Sequence, residues 1–137
     1  MRILIVDDDL VSREKLTALL ASYGECTAVP DGHWAMKKIR HATTHTRPYS
    51  LVTVDVEMPG MSGEELVHEI RSWEQSQKTY KKGREMKVLM VTSRRDPETV
   101  ISSFREGCEW YLNKPVNPDN LQAALAKLGI FQEEPVG

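Results

Sequence analysis

Four carboxylates stand out by their position in the chain. Asp7, Asp8 and Asp9 directly follow an apolar run at residues 3–6, and Asp55 directly follows a second one at residues 51–54. Thr92 and Ser93 come after a third run at residues 88–91, and Asn113-Lys114-Pro115 comes after a short apolar segment at residues 110–112. Acids, hydroxyls and an ammonium at the ends of hydrophobic runs are the groups that hold a divalent cation and a phosphoryl group. Two like charges about 4 Å apart repel by about 4 kcal/mol at an effective dielectric near 20, so gathering Asp7, Asp8 and Asp55 requires a counter-charge. Carboxylates with a backbone carbonyl, without sulfur or imidazole, suit Mg²⁺ or Mn²⁺ rather than zinc. Lys114 adds a cation and Thr92 a hydroxyl for phosphoryl oxygens. An aspartate in such a place can itself be the nucleophile.

These side chains meet only if the runs are neighbouring strands. Short all-apolar runs, separated by segments whose apolar residues recur every three or four positions, have the β-α-β alternation of a parallel sheet. Strands apolar on both faces need helices above and below. The pattern predicts an α/β fold: a three-layer, doubly wound (βα)5 sandwich on a parallel five-stranded sheet, with ligands bound outside the carboxyl ends of the strands. The first helix follows Asp9 and places Leu16, Leu19, Leu20 and Tyr23 on one face, with Gly24 as a left-handed cap. A second strand at residues 26–29 and a Pro30-Asp31-Gly32 turn lead to a helix carrying Ala35, Ile39 and Ala42. Ser62-Gly63-Glu64-Glu65 fits a capping box that opens a third helix through Leu66, Val67, Ile70 and Trp73. Residues 75–85 read as a long surface loop. Asp96-Pro97 starts a fourth helix with Val100, Ile101 and Phe104 as its apolar set and Gly107 as its end. Asn117-Pro118-Asp119 starts a fifth, with Leu121, Ala124, Leu125 and Leu128 on one face and Gly129 as its end.

Composition narrows the function classes. At 137 residues and 40% hydrophobic content, the chain can bury a core as one domain without metal or disulfide staples, which excludes a disordered chain. No apolar run approaches the roughly 20 residues needed to cross a bilayer, and residues 1–9 lack the features of a signal peptide, so a cytoplasmic location is expected. Cys26 and Cys108 read as reduced packing residues. Twenty acidic against 18 basic side chains, net −2, give no general attraction for nucleic acid or an anionic membrane surface. Neither G-x-x-x-x-G-K-[ST] nor G-x-G-x-x-G occurs, so no nucleotide site is expected.

The full set of motifs comprises Ile5-Val6-Asp7-Asp8-Asp9, residues 54–63 (Val-Asp-Val-Glu-Met-Pro-Gly-Met-Ser-Gly), Val91-Thr92-Ser93 and Tyr111-Leu112-Asn113-Lys114-Pro115. In that order, over essentially the whole chain, it resembles the receiver domain of two-component response regulators. Each fragment is common; all of them at the ends of strands one, three, four and five form a specific signal. The resemblance implies the flavodoxin-like strand order 2-1-3-4-5, for which a chemotaxis receiver is a standard example. It implies Asp55 as phosphoacceptor and Asp7 and Asp8 as the acidic pair, with Asp8 on Mg²⁺ directly and Asp7 through water. The Glu57 backbone carbonyl would complete the metal shell, and Mn²⁺ could take the ion's place. Thr92 and Lys114 would contact the phosphoryl oxygens, and Thr92 and Tyr111 would act as the switch pair. The donor is implied to be a phosphohistidine on a sensor histidine kinase or phosphotransfer protein. The output would be a downstream target, or a second copy of the chain, on the face made by the fourth helix, fifth strand and fifth helix. Such a chain is a phosphoacceptor that assists its own phosphorylation and dephosphorylation, not a turnover enzyme.

Several residues lie outside this pattern. Glu57, two after the acceptor, and Arg94, two after Thr92, flank the path of hydrolytic water in this family. They are expected either to pair across it and prolong the phosphoryl group's lifetime, or to point into solvent. Lys78, Lys81, Lys82 and Arg84 fit a solvated loop better than a docking patch. His41 and His45 have the i, i+4 spacing of zinc ligands, but no third ligand accompanies them. Trp73 and Trp110 read as packing residues and Trp34 as partly exposed. A rival reading is a hydrolase of the haloacid dehalogenase type, which also forms an aspartyl phosphate. Asp7 and Asp9 have its acid spacing, but 137 residues are few for its core and cap. The receiver is expected over residues 1–129, with residues 130–137 a tail or the start of a linker.

Overall fold

The computed structural model describes residues 1–45 and 47–132. Five strands, β1 (Arg2–Val6), β2 (Glu25–Val29), β3 (Leu51–Val54), β4 (Lys87–Thr92) and β5 (Trp110–Asn113), alternate with five helices. The helices are α1 (Leu10–Leu20), α2 (Gly32–Thr44), α3 (Gly63–Ser76), α4 (Pro97–Glu106) and α5 (Pro118–Lys127). All four strand pairings are parallel, and the order is β2-β1-β3-β4-β5. The doubly wound arrangement expected from the sequence is therefore present.

Side chains along each strand alternate between two separate cores, because successive Cβ atoms point to opposite faces. Leu4, Val6, Val52, Val54, Val88 and Met90 pack on one face against α2 and α3. Ile3, Ile5, Leu51, Leu89, Val91 and Leu112 pack on the other against α1 and α5. Both faces of β1, β3 and β4 are covered, so these three strands have no solvent-facing side.

The helix starts follow their capping residues. Asp9 accepts from Ser12 N, Asp31 from Trp34 N and Asp96 from Thr99 N, while Ser62 with Glu65 forms the expected capping box. Gly107 and Gly129 have positive φ beyond the ends of α4 and α5. Gly24 is a correction. It has no left-handed conformation, and α1 ends earlier, at Leu20, with Ala21 as a right-handed cap. Glycine is required at position 24 because a Cβ there would lie 2.4 Å from the Met1 carbonyl oxygen. Helix α3 runs to Ser76, two residues into the expected loop.

The larger correction concerns α4. Ile101 and Phe104, expected in the core, are 57% and 39% exposed, while Thr99 and Ser103 are buried beneath the helix. Their hydroxyls find local partners, Ser103 Oγ donating to Thr99 O at 2.8 Å and Thr99 Oγ1 to Asp96 Oδ2 at 2.6 Å, so small polar residues can face inward without an unmet hydrogen bond. Trp110, read as a packing residue, is also exposed and stacks edge-on with Phe104. Trp34 is exposed as expected, Trp73 packs partly buried against the α2/α3 core, and both cysteines are free. The end of the expected tail, residues 133–137, lies outside the described residues.

Candidate functional site

Sheet hydrogen bonding continues past the strand ends and sets the site residues side by side. Asp7 N donates to Val29 O, Asp55 N to Val6 O, and Lys114 N to Thr92 O. The register pairs Val6 with Val54 and Thr92 with Asn113, so the next residue on each of four strands lies on the same edge. One carboxylate oxygen each of Asp7, Asp8 and Asp55 lies within 4.8 Å of the others; this is the one such cluster of three or more metal-ligating groups among the described residues.

Lys114 holds the two more buried acids. Its Nζ donates to Asp7 Oδ2 and to Asp55 Oδ2, both at 2.8 Å, and to Ser12 Oγ at 3.2 Å. Burial pushes the Asp7 carboxyl above its ordinary value, and the hydrogen bonds from Lys114 and from Asp9 N oppose that push. Burial by itself would lower Lys114; its hydrogen bonds to Asp55 and Asp7 outweigh that, and the ammonium is held above its usual range. Asp8 is exposed beside this pair. Glu57 N donates to Asp55 Oδ1 at 3.3 Å.

An open cleft of about 610 Å³ leads to Asp55 and is lined by Asp8, Glu57, Thr92, Ser93 and Arg94. Glu57 and Arg94 pair, with Arg94 Nη1 donating to Glu57 Oε1 at 2.9 Å. Arg94 also donates through Nε to Asp96 at 2.8 Å and through Nη2 to Thr99 at 3.3 Å. Its backbone carbonyl accepts from Tyr111 Oη at 2.8 Å and from Asn113 Nδ2 at 2.7 Å. Tyr111 is half-buried, and burial followed by the Asp96 charge pushes its phenol up to about 12. Thr92 is buried, its hydroxyl accepting from Arg94 N at 3.3 Å.

Every expected site residue, Asp7, Asp8, Asp55, Glu57, Thr92, Tyr111 and Lys114, stands at this edge or on the loops beside it. Four residues of the site escaped the sequence reading. Ser12 meets Lys114, and Arg13 Nη1 donates to the Asp7 carbonyl at 2.8 Å; their signal was a spacing of three and four from the Asp9 cap. Asp96 was read only as a cap. Gly63 was read as part of a capping box and of the motif at residues 54–63 without a role of its own, yet a Cβ there would lie 2.2 Å from the Asp55 carbonyl oxygen. His41 and His45 stack with ring centroids 4.1 Å apart at the end of α2, and among the described residues they join no cluster of three ligands.

The model of the response regulator receiver domain family matches residues 3–126. The chain is a response regulator receiver domain. This receiver is 33% identical over 126 residues to the transcriptional regulatory protein ZraR of Escherichia coli O157:H7, a match covering 91% of the chain and 25% of the relative. It is 32% identical to the DNA-binding response regulator MtrA of Mycobacterium tuberculosis, covering 98% of the chain and 53% of the relative. Among solved structures it is similar to the chemotaxis protein CheY4 of Vibrio cholerae, with a TM-score of 0.75 and 30% identity, covering 93% of the chain and 95% of that structure. The receiver thus spans a quarter to about half the length of these two curated relatives. No helix of the described residues is long and apolar enough to cross a membrane.

Proposed function

We propose that this receiver takes a phosphoryl group onto the Asp55 carboxylate from the phosphohistidine of a sensor histidine kinase or phosphotransfer protein. The observation that carries the reading is the single ammonium of Lys114 placed 2.8 Å from both Asp7 and Asp55, with Asp55 and the third acid, Asp8, lining an open cleft. A carboxylate oxygen of Asp55 attacks phosphorus, the P–N bond to the donor imidazole breaks with its electron pair leaving on nitrogen, and an acyl phosphate forms.

The donor set fits a hard divalent cation: Asp7, Asp8, Asp55 and the Glu57 backbone carbonyl would hold Mg²⁺, or Mn²⁺ in its place. When bound, the cation supplies neutralisation of the carboxylate and phosphoryl charges. Lys114 would exchange its bond with the Asp55 carboxylate for a phosphoryl oxygen while keeping Asp7 in place. Thr92 would turn its hydroxyl to the phosphoryl group and give up the Arg94 amide. Tyr111 would leave the Arg94 carbonyl and turn inward, altering the α4, β5 and α5 face for a downstream target or a second copy. The reading makes the chain a phosphoacceptor, not a turnover enzyme, with residues 1–129 as the working unit and the cytoplasm as its compartment.

Incubation with Mg²⁺ and acetyl phosphate, followed by mapping of the labelled side chain, tests this. Label on Asp55 alone, absent from Asp55→Asn, is expected. Labelling of Asp55→Asn at an undiminished rate, or sustained hydrolysis of p-nitrophenyl phosphate, would contradict it.

A further inference from the structure

The pole of the sheet opposite Asp55 carries a groove of about 570 Å³, lined by Met1, Tyr49, Tyr80, Met86, Leu128 and Ile130. Lys81, Arg84 and Lys87 stand at it. With Lys78 and Lys82, residues 76–87 hold five cations against one carboxylate, Glu85, a net +4 in a chain of net −2. Among the described residues, none of the five cations forms an ion pair.

Acids close to these cations are otherwise engaged, Glu109 beside Lys87 among them, since it accepts from Arg71 Nη2 at 2.7 Å and from Val88 N at 2.5 Å. Glu74 accepts from Arg71 Nη1 at 2.7 Å and from Met86 N at 2.8 Å. Glu85 accepts from Tyr80 Oη at 2.9 Å and from Gly83 N at 2.8 Å. The Glu85 pair of bonds also shapes the loop, together with Tyr80 N to Gln77 O, Arg84 N to Lys81 O and the positive φ of Gly83. A solvated lysine-rich loop needs neither an internal carboxylate brace nor an apolar hollow beside it. A braced loop also loses less entropy on binding than a loose one.

We propose that this pole docks an acidic peptide segment of a partner protein, with an apolar side chain seated in the groove and carboxylates on Lys81, Arg84 and Lys87. A concave apolar floor fits an inserted side chain and not a flat lipid surface. A single-stranded nucleic acid would need several stacking rings, whereas Tyr80 is the one aromatic within the charged stretch and its hydroxyl is held by Glu85. The site is remote from Asp55, so its occupant would not compete with a phosphoryl donor, and the proposal does not depend on the phosphoacceptor reading.

The test uses the full chain, ¹⁵N-labelled, and a glutamate-rich peptide with one central leucine. Amide shifts confined to the neighbourhood of Met1, residues 80–87 and residues 128–130 are expected. Replacing the leucine by serine, or the receiver's Lys81 and Arg84 by glutamate, is expected to weaken binding about tenfold, and raised salt to weaken it further. An unchanged urea midpoint and unchanged labelling by acetyl phosphate would establish that the charge-reversed variant is folded. Shifts elsewhere, equal binding of the serine peptide, or equal binding by the charge-reversed variant would overturn the proposal. Tighter binding of phosphatidylserine vesicles or of polyuridylate than of the leucine peptide would overturn it in favour of a membrane or nucleic-acid surface.

Discussion

Arg94 spans the mouth of the Asp55 cleft and donates to Glu57 at 2.9 Å, so two loops that carry different parts of the site are tied by one guanidinium. The same guanidinium reaches the Asp96 cap of α4, and the carboxylates of Asp96 and Glu57 hold it firmly protonated. On the proposed reading, removing either end of the pair would open the approach of water to Asp55. Glu57→Ala and Arg94→Ala should each shorten the phosphoryl lifetime several-fold, read as loss of label from phosphorylated protein over time. Unchanged rates in both would end the idea.

Lys114 is the sole cation bonded to the carboxylates of Asp7 and Asp55 among the described residues, and it is mostly buried. Lys114→Ala leaves two acids facing each other and should lower stability by about 2 kcal/mol in urea unfolding. Added Mg²⁺ should recover part of that loss in Lys114→Ala, and adding Asp8→Ala should remove the recovery.

Asp96 accepts first from Arg94 and also from Thr99, and these bonds hold its carboxyl well below the usual carboxylate range. Because the folded-state value is depressed, the stabilising contribution is complete above the ordinary value near 4 and is lost as the pH falls toward the folded one. Asn caps a helix as well as Asp does. Wild type should therefore be more stable than Asp96→Asn at neutral pH, with the gap closing as the pH is lowered below about 4. Urea midpoints across that range read this directly; a gap constant with pH would show that the charge contributes nothing.

Exposed apolar residues on α4 make a contrasting case. Ile101→Ala and Phe104→Ala should cost less than about 0.5 kcal/mol, as surface changes do, whereas Leu125→Ala under α5 should cost about 3 kcal/mol. If Phe104→Ala proved as costly as Leu125→Ala, the outward placement of that ring would be wrong.

Gly63→Ala sets a methyl group against the backbone of Asp55 and Val56, which cannot swing aside as a flexible side chain can. It should cost about 3 kcal/mol and slow labelling of Asp55 by acetyl phosphate. Wild-type labelling and stability would show that the approach of α3 to β3 tolerates a side chain.

The sheet and the acidic edge were legible because their signals are local: apolar runs of strand length, each ended by a polar residue of the right type. Strand order came from the resemblance, since no single run states its neighbour. The orientation of α4 was illegible because Val100, Ile101 and Phe104 give a plausible helical stripe, and nothing local reveals that Ser103 and Thr99 satisfy their hydroxyls within the helix and can turn inward. Gly63 was hidden because its reason is a tertiary approach to Asp55, and Gly24 because its neighbour is Met1, at the far end of the first strand.

Because α4 rests on two hydroxyls that bond within its own first turns, it carries those bonds along if it slides. Its neighbours are anchored differently, α3 by Leu66 and Ile70 and α5 by Leu121 and Leu125, all nearly inaccessible to water. On the proposed reading, a change of one charge at the strand ends, worth a few kcal/mol at most, would shift the first kind of helix before the second. Composition beneath each helix, more than distance from Asp55, would then select which element responds.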